Sequence, residues 1–141
     1  MSKLLSPFFI ILFISICNAQ KTERIAFYNV ENLFDTIDGP NNDEEFLPNG
    51  RKLWTSERYK TKINHINKVI CALKTPMLIG LCEIENEDVI QDIIHNNKKL
   101  KNYKTIHFNS LDARGIDVGM LYNTKKLTLL DKGFIRFNLP S

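Results

Sequence analysis

Met77–Ile84 reads MLIGLCEI, and Glu85 and Asn86 follow it directly. A short apolar run that ends at polar residues predicts a buried β-strand. The preceding segment, Ser56–Lys74, carries apolar residues at steps of three and four, which predicts an amphipathic helix. A strand that follows such a helix is typical of an α/β fold.

Both predicted helices have recognisable ends. Thr55 or Ser56 can cap the first helix, and Pro76 stops it. Asn86 can cap a second, shorter helix that continues to Ile94 and carries acids in its first turn, where the helix dipole favours them.

The other apolar runs predict the rest of the sheet. Arg24–Val30, RIAFYNV, predicts a first strand that is buried on most sides because it carries Ile25 and Phe27. Residues 35–52 contain two prolines, two glycines and five acids without a period, which predicts a long loop. Later strands are predicted over Tyr103–Asn109 and Ile116–Tyr122, with one or two more over Leu127–Phe137. The predicted fold class is therefore α/β, with a mixed sheet and helices on one face.

Length and composition limit the remaining classes. The chain has 141 residues, enough for one domain. Hydrophobic residues make up 43% and charged residues 25%, which excludes global disorder and a disulfide scaffold. The net charge of +3 gives no composition argument for nucleic-acid binding, so any such patch has to be local.

The first twenty residues are typical of a secretory signal peptide. Lys3 precedes an apolar run from Leu4 to Ile16, and small residues lead to Ala19. The run is shorter than the roughly 20 residues that span a bilayer, although an uncleaved anchor is an alternative. We expect a signal peptide over residues 1–19, one domain over residues 20–141, no stable membrane span after cleavage, and a secreted or periplasmic location.

Two cysteines, Cys71 and Cys82, belong to the mature chain. An exported protein could join them in a disulfide. Both lie in apolar periodic segments, however, which favours two buried free thiols.

Amide and carboxylate side chains stand where the first two strands end. Asn29 and Glu31 leave the first strand, and Glu83 leaves the second. Ligand sites in open α/β sheets gather at the carboxyl ends of strands, so Asn29 and Glu83 are expected to converge if the two strands are neighbours. Their oxygens suit Mg²⁺, Mn²⁺ or Ca²⁺ rather than zinc. Regular alternation places Glu83 on the face of Leu81, where it needs a partner: a metal, a lysine or the next helix.

Three segments carry a family resemblance: FYNVENLFD (Phe27–Asp35), GLCEIEN (Gly80–Asn86) and RGIDVGMLYN (Arg114–Asn123). In their order and spacing they resemble the deoxyribonuclease-like endonuclease/exonuclease/phosphatase superfamily. Four residues around the start of the long helix are similar to its exported bacterial branch: Trp54, Arg58, Tyr59 and Lys62.

The resemblance implies roles for five residues. Glu83 matches the metal-binding glutamate, Asn29 matches the asparagine that positions the metal and the phosphate, and Glu31 falls beside the metal shell. Arg114 resembles a phosphate-contacting arginine, which Asp117 would orient. A local salt bridge between Arg114 and Asp117 is the alternative.

The resemblance also implies a four-layer sandwich of two sheets, of which this chain matches the N-terminal half. The family's later motifs, including its terminal Asp-His pair, have no counterpart here. We therefore expect an exposed apolar sheet face, a missing C-terminal half as partner, and no activity from this chain alone.

The implied function is a divalent-metal-dependent phosphodiesterase, an exported nuclease that uses Mg²⁺, Mn²⁺ or Ca²⁺ and acts on nucleic acid. The alternatives are an inactive fragment or interaction module, and a phosphatase or phospholipid phosphodiesterase of the same superfamily.

Overall fold

The computed structural model describes residues 22–135, so the expected signal peptide lies outside the described residues. Two short 3₁₀ turns, Glu44–Phe46 and Lys98–Leu100, accompany the regular elements. The strands are β1 (Ile25–Leu33), β2 (Leu78–Ile84), β3 (Tyr103–Phe108) and β4 (Asp117–Asn123), and the helices are α1 (Ser56–Ala72) and α2 (Glu87–His95).

The four strands form one mixed sheet in the order β1-β2-β4-β3. β1 pairs with β2 in parallel, and α1 is the crossover between them. The other two pairings, β2 with β4 and β3 with β4, are antiparallel. The predicted α/β class with a mixed sheet is therefore confirmed.

Both helices begin where the sequence predicts. The Arg58 N–H donates to Thr55 Oγ1 at 3.4 Å, and the Val89 N–H donates to Asn86 Oδ1 at 3.0 Å, so each cap satisfies an N–H that the first helical turn leaves unpaired. The inner faces of the helices pack with residues of the sheet in one core cluster, which includes Ile66, Ile70, Ile79, Leu81, Ile90, Ile93 and Leu121.

The other sheet face, which we call the bare face, is covered by no helix or strand of residues 22–135, although the Phe134 side chain contacts Phe108 there. Ile25 is 67% exposed and Phe27 is 75% exposed, so the expectation that the first strand is buried on most sides is wrong. β1 is an edge strand, and its helix-facing residues alone enter the core. Phe27, Gly80, Met120 and Ile106 lie opposite one another across the four strands and line this face together with Phe108 and Val118.

The predicted strand after β4 is wrong for residues 127–135, which form no strand. Instead, Phe134 contacts the ring of Phe108 edge-on at 6.1 Å between centroids. Within residues 22–135 no helix combines the length and apolar character that a membrane crossing requires. Cys71 and Cys82 are free thiols, as predicted, although both are half-buried rather than fully buried.

The loop between β1 and α1 has a small core of its own. Phe34 and Phe46 stack at 4.0 Å between centroids, and the Trp54 indole N–H donates to the Phe34 carbonyl at 2.8 Å. This second cluster fixes the loop beside the carboxyl ends of β1 and β2.

Candidate functional site

The candidate site begins with a bulge in β2. Cys82 pairs with Val118 and Ile84 pairs with Asp117, so Glu83 is an extra residue between two consecutive pairs. Its φ of 62° lies in the left-handed region, which non-glycine residues adopt at a cost of about 1–3 kcal/mol. Ile84, and not Glu83, therefore continues the buried face, and the predicted alternation of Leu81 with Glu83 is wrong.

β1 carries a matching irregularity. Its pairing with β2 jumps from Asn29–Cys82 to Leu33–Ile84, which leaves three β1 residues opposite one β2 residue. Glu31 and Asn32, inside this jump, have φ values of 56° and 60°. Strained non-glycine residues cluster at functional sites, and here both irregular segments face each other.

The structure brings Asn29 and Glu83 together. Asn29 Nδ2 donates to Glu83 Oε1 at 2.7 Å, and the Asn32 N–H donates to Glu83 Oε2 at 3.2 Å. The Glu31 N–H donates to Asn29 Oδ1 at 2.7 Å, which fixes the orientation of the Asn29 amide. Each oxygen of Glu83 thus accepts one hydrogen bond from β1 and keeps lone-pair capacity toward solvent.

The carboxylate oxygens of Glu83 suit a hard cation that is held by few protein ligands. No three His, Cys, Asp or Glu side chains of the described residues are grouped as a metal site. Mg²⁺ needs only one or two carboxylates, because it keeps waters and substrate oxygens. The anchored carboxylate of Glu83 fits that requirement, whereas Asn29 directs its N–H₂ group at Glu83 and Glu31 takes part through its backbone.

Lys62 reaches this site from α1. Its Nζ donates to the Glu31 carbonyl at 2.9 Å. Burial lowers the pKa of Lys62, against the attraction of the Glu31 and Glu83 carboxylates, which raises it. The resemblance pointed to Lys62 without a role, and the sequence carries no signal for this contact because it depends on how α1 packs.

Arg114 lies near the same carboxylate but is held by another residue. Its Nη2 and Nε donate to the two oxygens of Asp112 at 3.0 and 3.1 Å. These bonds raise the pKa of Arg114, and the charges of Glu83 and Glu45 also contribute. The same contact lowers the pKa of Asp112. The expectation that Asp117 orients Arg114 is wrong, because Asp112 is two residues away in the same turn and takes the guanidinium.

Asp117 serves a different pair of partners at the start of β4. Its Oδ2 lies 2.8 Å from His107 Nε2, and its Oδ1 accepts from the Ser110 N–H at 2.6 Å. Asp117 is 4% exposed, and both oxygens of this buried carboxylate are paired, one with His107 of β3 and one with Ser110 of the β3–β4 connection.

A cavity of about 340 Å³ lies beside these residues, and its carboxylate lining comprises Asp35, Glu85, Asp112 and Asp117. Glu85 accepts from the Asp35 N–H at 2.7 Å. Burial raises the pKa of Glu85 to about 7, and the neighbouring carboxylates of Asp35 and Asp43 add to this shift.

Asp43 and Asn86 lie in the same group of side chains as Asp35 and Glu85. Asn86 Nδ2 donates to Asp35 Oδ2 at 3.0 Å. Asp43 is 2% exposed, and within residues 22–135 its Oδ1 has no hydrogen-bond partner. The sequence places Glu85 two residues after Glu83, but the partners from the loop were not predictable from spacing.

Comparison with known proteins adds one finding. No curated protein and no solved structure matches the chain significantly. The model of the Endonuclease/Exonuclease/phosphatase family matches residues 24–140, which is most of the chain and contains every residue of the candidate site. This protein therefore belongs to the endonuclease/exonuclease/phosphatase family, a superfamily of phosphoric-ester hydrolases.

Proposed function

We propose that the chain is the N-terminal part of an exported, divalent-metal-dependent phosphodiesterase that hydrolyses nucleic acid. One observation carries this proposal: the half-buried Glu83 carboxylate is anchored by Asn29 and by the Asn32 N–H at the carboxyl ends of β1 and β2. Two strained backbone segments meet to make that arrangement, which a purely structural carboxylate would not require.

Glu83 is the proposed ligand of the metal, with Asn29 holding it in one orientation. A divalent ion bound there supplies a Lewis acid for the extra charge of phosphoryl displacement. Mg²⁺ is the expected ion, and Mn²⁺ or Ca²⁺ would use the same oxygen donors. Glu31 stays a proposed neighbour of that ion.

Two cations near Glu83 support a phosphate as the substrate group. Lys62 binds the Glu31 carbonyl beside Glu83, and the charge of Glu83 contributes to the raised pKa of Arg114. A guanidinium can donate two parallel hydrogen bonds to phosphate oxygens, so Arg114 is the proposed phosphate contact. Asp117 is then a proposed supporting residue, which acts by fixing the turn that precedes β4.

A groove on α1 supports a nucleic acid over a small phosphate ester. It is lined by Trp54, Glu57, Arg58, Thr61, Lys62 and His65, and the Arg58 guanidinium lies over the Trp54 ring at 5.2 Å from its centroid. Arg58 and Lys62 outweigh the single carboxylate of Glu57, and a groove with excess positive charge is suited to a polyanionic strand. Lys62 belongs both to this groove and to the surroundings of Glu83, so the groove leads into the site.

The bare face supports the second proposal, an incomplete domain. Large apolar side chains of β1 and β4 stay exposed there, including Phe27 and Val118. Contiguous apolar surface of this kind marks an interface, and the proposed occupant is the C-terminal half of the domain. Without it, the chain would act as an interaction module rather than as an enzyme.

The test is magnesium-dependent cleavage of plasmid DNA by any longer product of the gene, with the 141-residue chain, which should not cut, beside it. In the longer product Glu83→Gln should abolish cleavage, and Glu44→Gln, a matched change at an exposed residue of the loop, should leave it intact. Equal cutting by the Glu83→Gln variant would refute the proposed ligand. Cleavage of a phospholipid or a phosphomonoester instead of DNA would refute the substrate class alone. Export is tested by N-terminal sequencing of the secreted product, which should begin at Gln20.

A further inference from the structure

The peptide group between Glu31 and Asn32 is held from both ends. Its carbonyl, on Glu31, accepts from Lys62 Nζ at 2.9 Å. Its N–H, on Asn32, donates to Glu83 Oε2 at 3.2 Å. One peptide plane therefore connects a cation on α1 with the carboxylate on β2.

This peptide plane is also the strained part of β1. Both residues that it joins are in the left-handed region, with φ values of 56° and 60°. Residues other than glycine persist there only when their surroundings hold them. Rotation of the plane would turn the Asn32 N–H away from Glu83, and the Lys62 contact opposes that rotation.

Lys62 is well placed to hold the peptide. Its neighbour Ile63 is 2% exposed and belongs to the core cluster, so α1 fixes the position of the lysine backbone. A hydrogen bond from an ammonium group is stronger than one between neutral groups, and it polarises the peptide so that the opposite N–H donates better.

We propose that Lys62 is a positioning residue, which locks the Glu31–Asn32 peptide with its N–H toward Glu83 and so sets the affinity of Glu83 for a divalent cation. The inference rests on the proposed function, because it takes Glu83 to be a metal ligand. It assigns to α1 a direct part in building the site.

The direction in which the metal affinity changes separates this positioning role of Lys62 from a simple effect of its charge. A lysine near a metal ligand repels the cation, so removing its charge alone would tighten metal binding. Removing a positioning contact weakens binding, by about 10-fold or more for groups that orient metal ligands. Lys62→Met therefore gives opposite results under the two interpretations.

The experiment is Mn²⁺ binding to the full chain without substrate, followed by electron paramagnetic resonance. Lys62→Met should raise the Kd about 10-fold, Lys62→Arg should restore most of the affinity because it keeps a donor, and Lys60→Met, an exposed lysine of the same helix, should change nothing. Unchanged or tighter binding by Lys62→Met would overturn the proposal.

Two further measurements keep the outcome interpretable. If Glu83→Gln still binds Mn²⁺ normally, the proposed metal site fails; if it loses binding while Lys62→Met does not, only the role of Lys62 fails. Hydrogen exchange of the Asn32 amide needs no metal and should be faster in Lys62→Arg than in the parent chain, and faster still in Lys62→Met. An unchanged exchange rate in both variants would contradict the proposal even if the methionine variant is unstable.

Discussion

Glu83 and Glu85 are two residues apart, yet their carboxylates lie in opposite electrostatic surroundings. Glu83 leaves the sheet at a bulge and faces two N–H donors from β1. Glu85, 5% exposed, lies against the carboxylates of Asp35 and Asp43, and its burial, with a contribution from these carboxylates, raises its pKa to about 7. The same residue type thus accepts hydrogen bonds from N–H donors in one place and is disfavoured as an anion in the other.

Backbone geometry, and not the spacing of the two acids, therefore determines what surrounds each carboxylate. In a regular strand, residues two apart share one face. The bulge at Glu83 breaks that relation, because Ile84 takes the core position and Glu83 turns to β1.

The largest effect on stability is expected from a change at Ile84, which lies between the two glutamates. Ile84 is fully buried, and its Cδ1 occupies space that only a glycine at position 119 leaves open. Ile84→Ala should lower the free energy of unfolding by about 2–5 kcal/mol because it leaves a cavity at the bulge. Urea unfolding measures this loss. The control, Cys82→Ala, changes a half-buried residue two positions earlier and should cost less than about 1 kcal/mol. An equal cost would show that Ile84 does not anchor the bulge.

The second effect concerns the proton on Glu85. Its pKa is raised from 4.5 to about 7, so the folded chain keeps a proton that the unfolded chain releases. Stability should therefore fall as pH rises from 4.5 to 7 and stay lower above pH 7. Glu85→Gln should remove this slope and raise the free energy of unfolding at pH 8 by up to about 3 kcal/mol.

Urea unfolding at several pH values, with a metal chelator present, tests the second effect. The slope should persist in Glu83→Gln, since that carboxylate faces N–H donors instead of other carboxylates. If Glu83→Gln flattens the pH dependence and Glu85→Gln does not, the contrast between the two glutamates is reversed.

Much of this architecture was predictable from local patterns. The caps Thr55 and Asn86 use side-chain chemistry that acts within one helical turn, and both were found where the sequence indicates. The meeting of Asn29 and Glu83 follows from a crossover helix that makes β1 and β2 parallel neighbours. These inferences need only periodicity, capping and the handedness of strand connections.

Other features depend on partners that are distant in sequence and could not be predicted from local patterns. A bulge is the result of register between strands, so nothing local in LCEI marks Glu83 as the extra residue. The exposure of Phe27 depends on which elements cover the second sheet face. The apolar pattern of the strand is the same whether that face is covered or exposed. Residues 127–135 carry a strand-like pattern but pair with no strand. Such a pattern does not show whether a free strand edge is present for the segment to pair with.

The smallest effect is expected from a matched pair of asparagines, one on each side of the comparison. Asn86 caps α2 and donates to Asp35, so Asn86→Ala should cost about 1–2 kcal/mol in unfolding free energy. The Asn29 side chain donates to the half-buried Glu83 carboxylate and accepts from the Glu31 N–H. Asn29→Ala should cost about 0.5–1 kcal/mol, the lower end for these two partly solvated hydrogen bonds.

Thermal or urea unfolding of both variants compares the two costs under one condition. A small cost for Asn29 means that its amide contributes to the geometry of Glu83 and little to the fold, as a functional contact should. A cost equal to that of Asn86 would contradict this, and would make the Asn29–Glu83 bond a structural link between β1 and β2. The direction of the difference therefore tests whether the strain at Glu31, Asn32 and Glu83 serves a site or only the sheet.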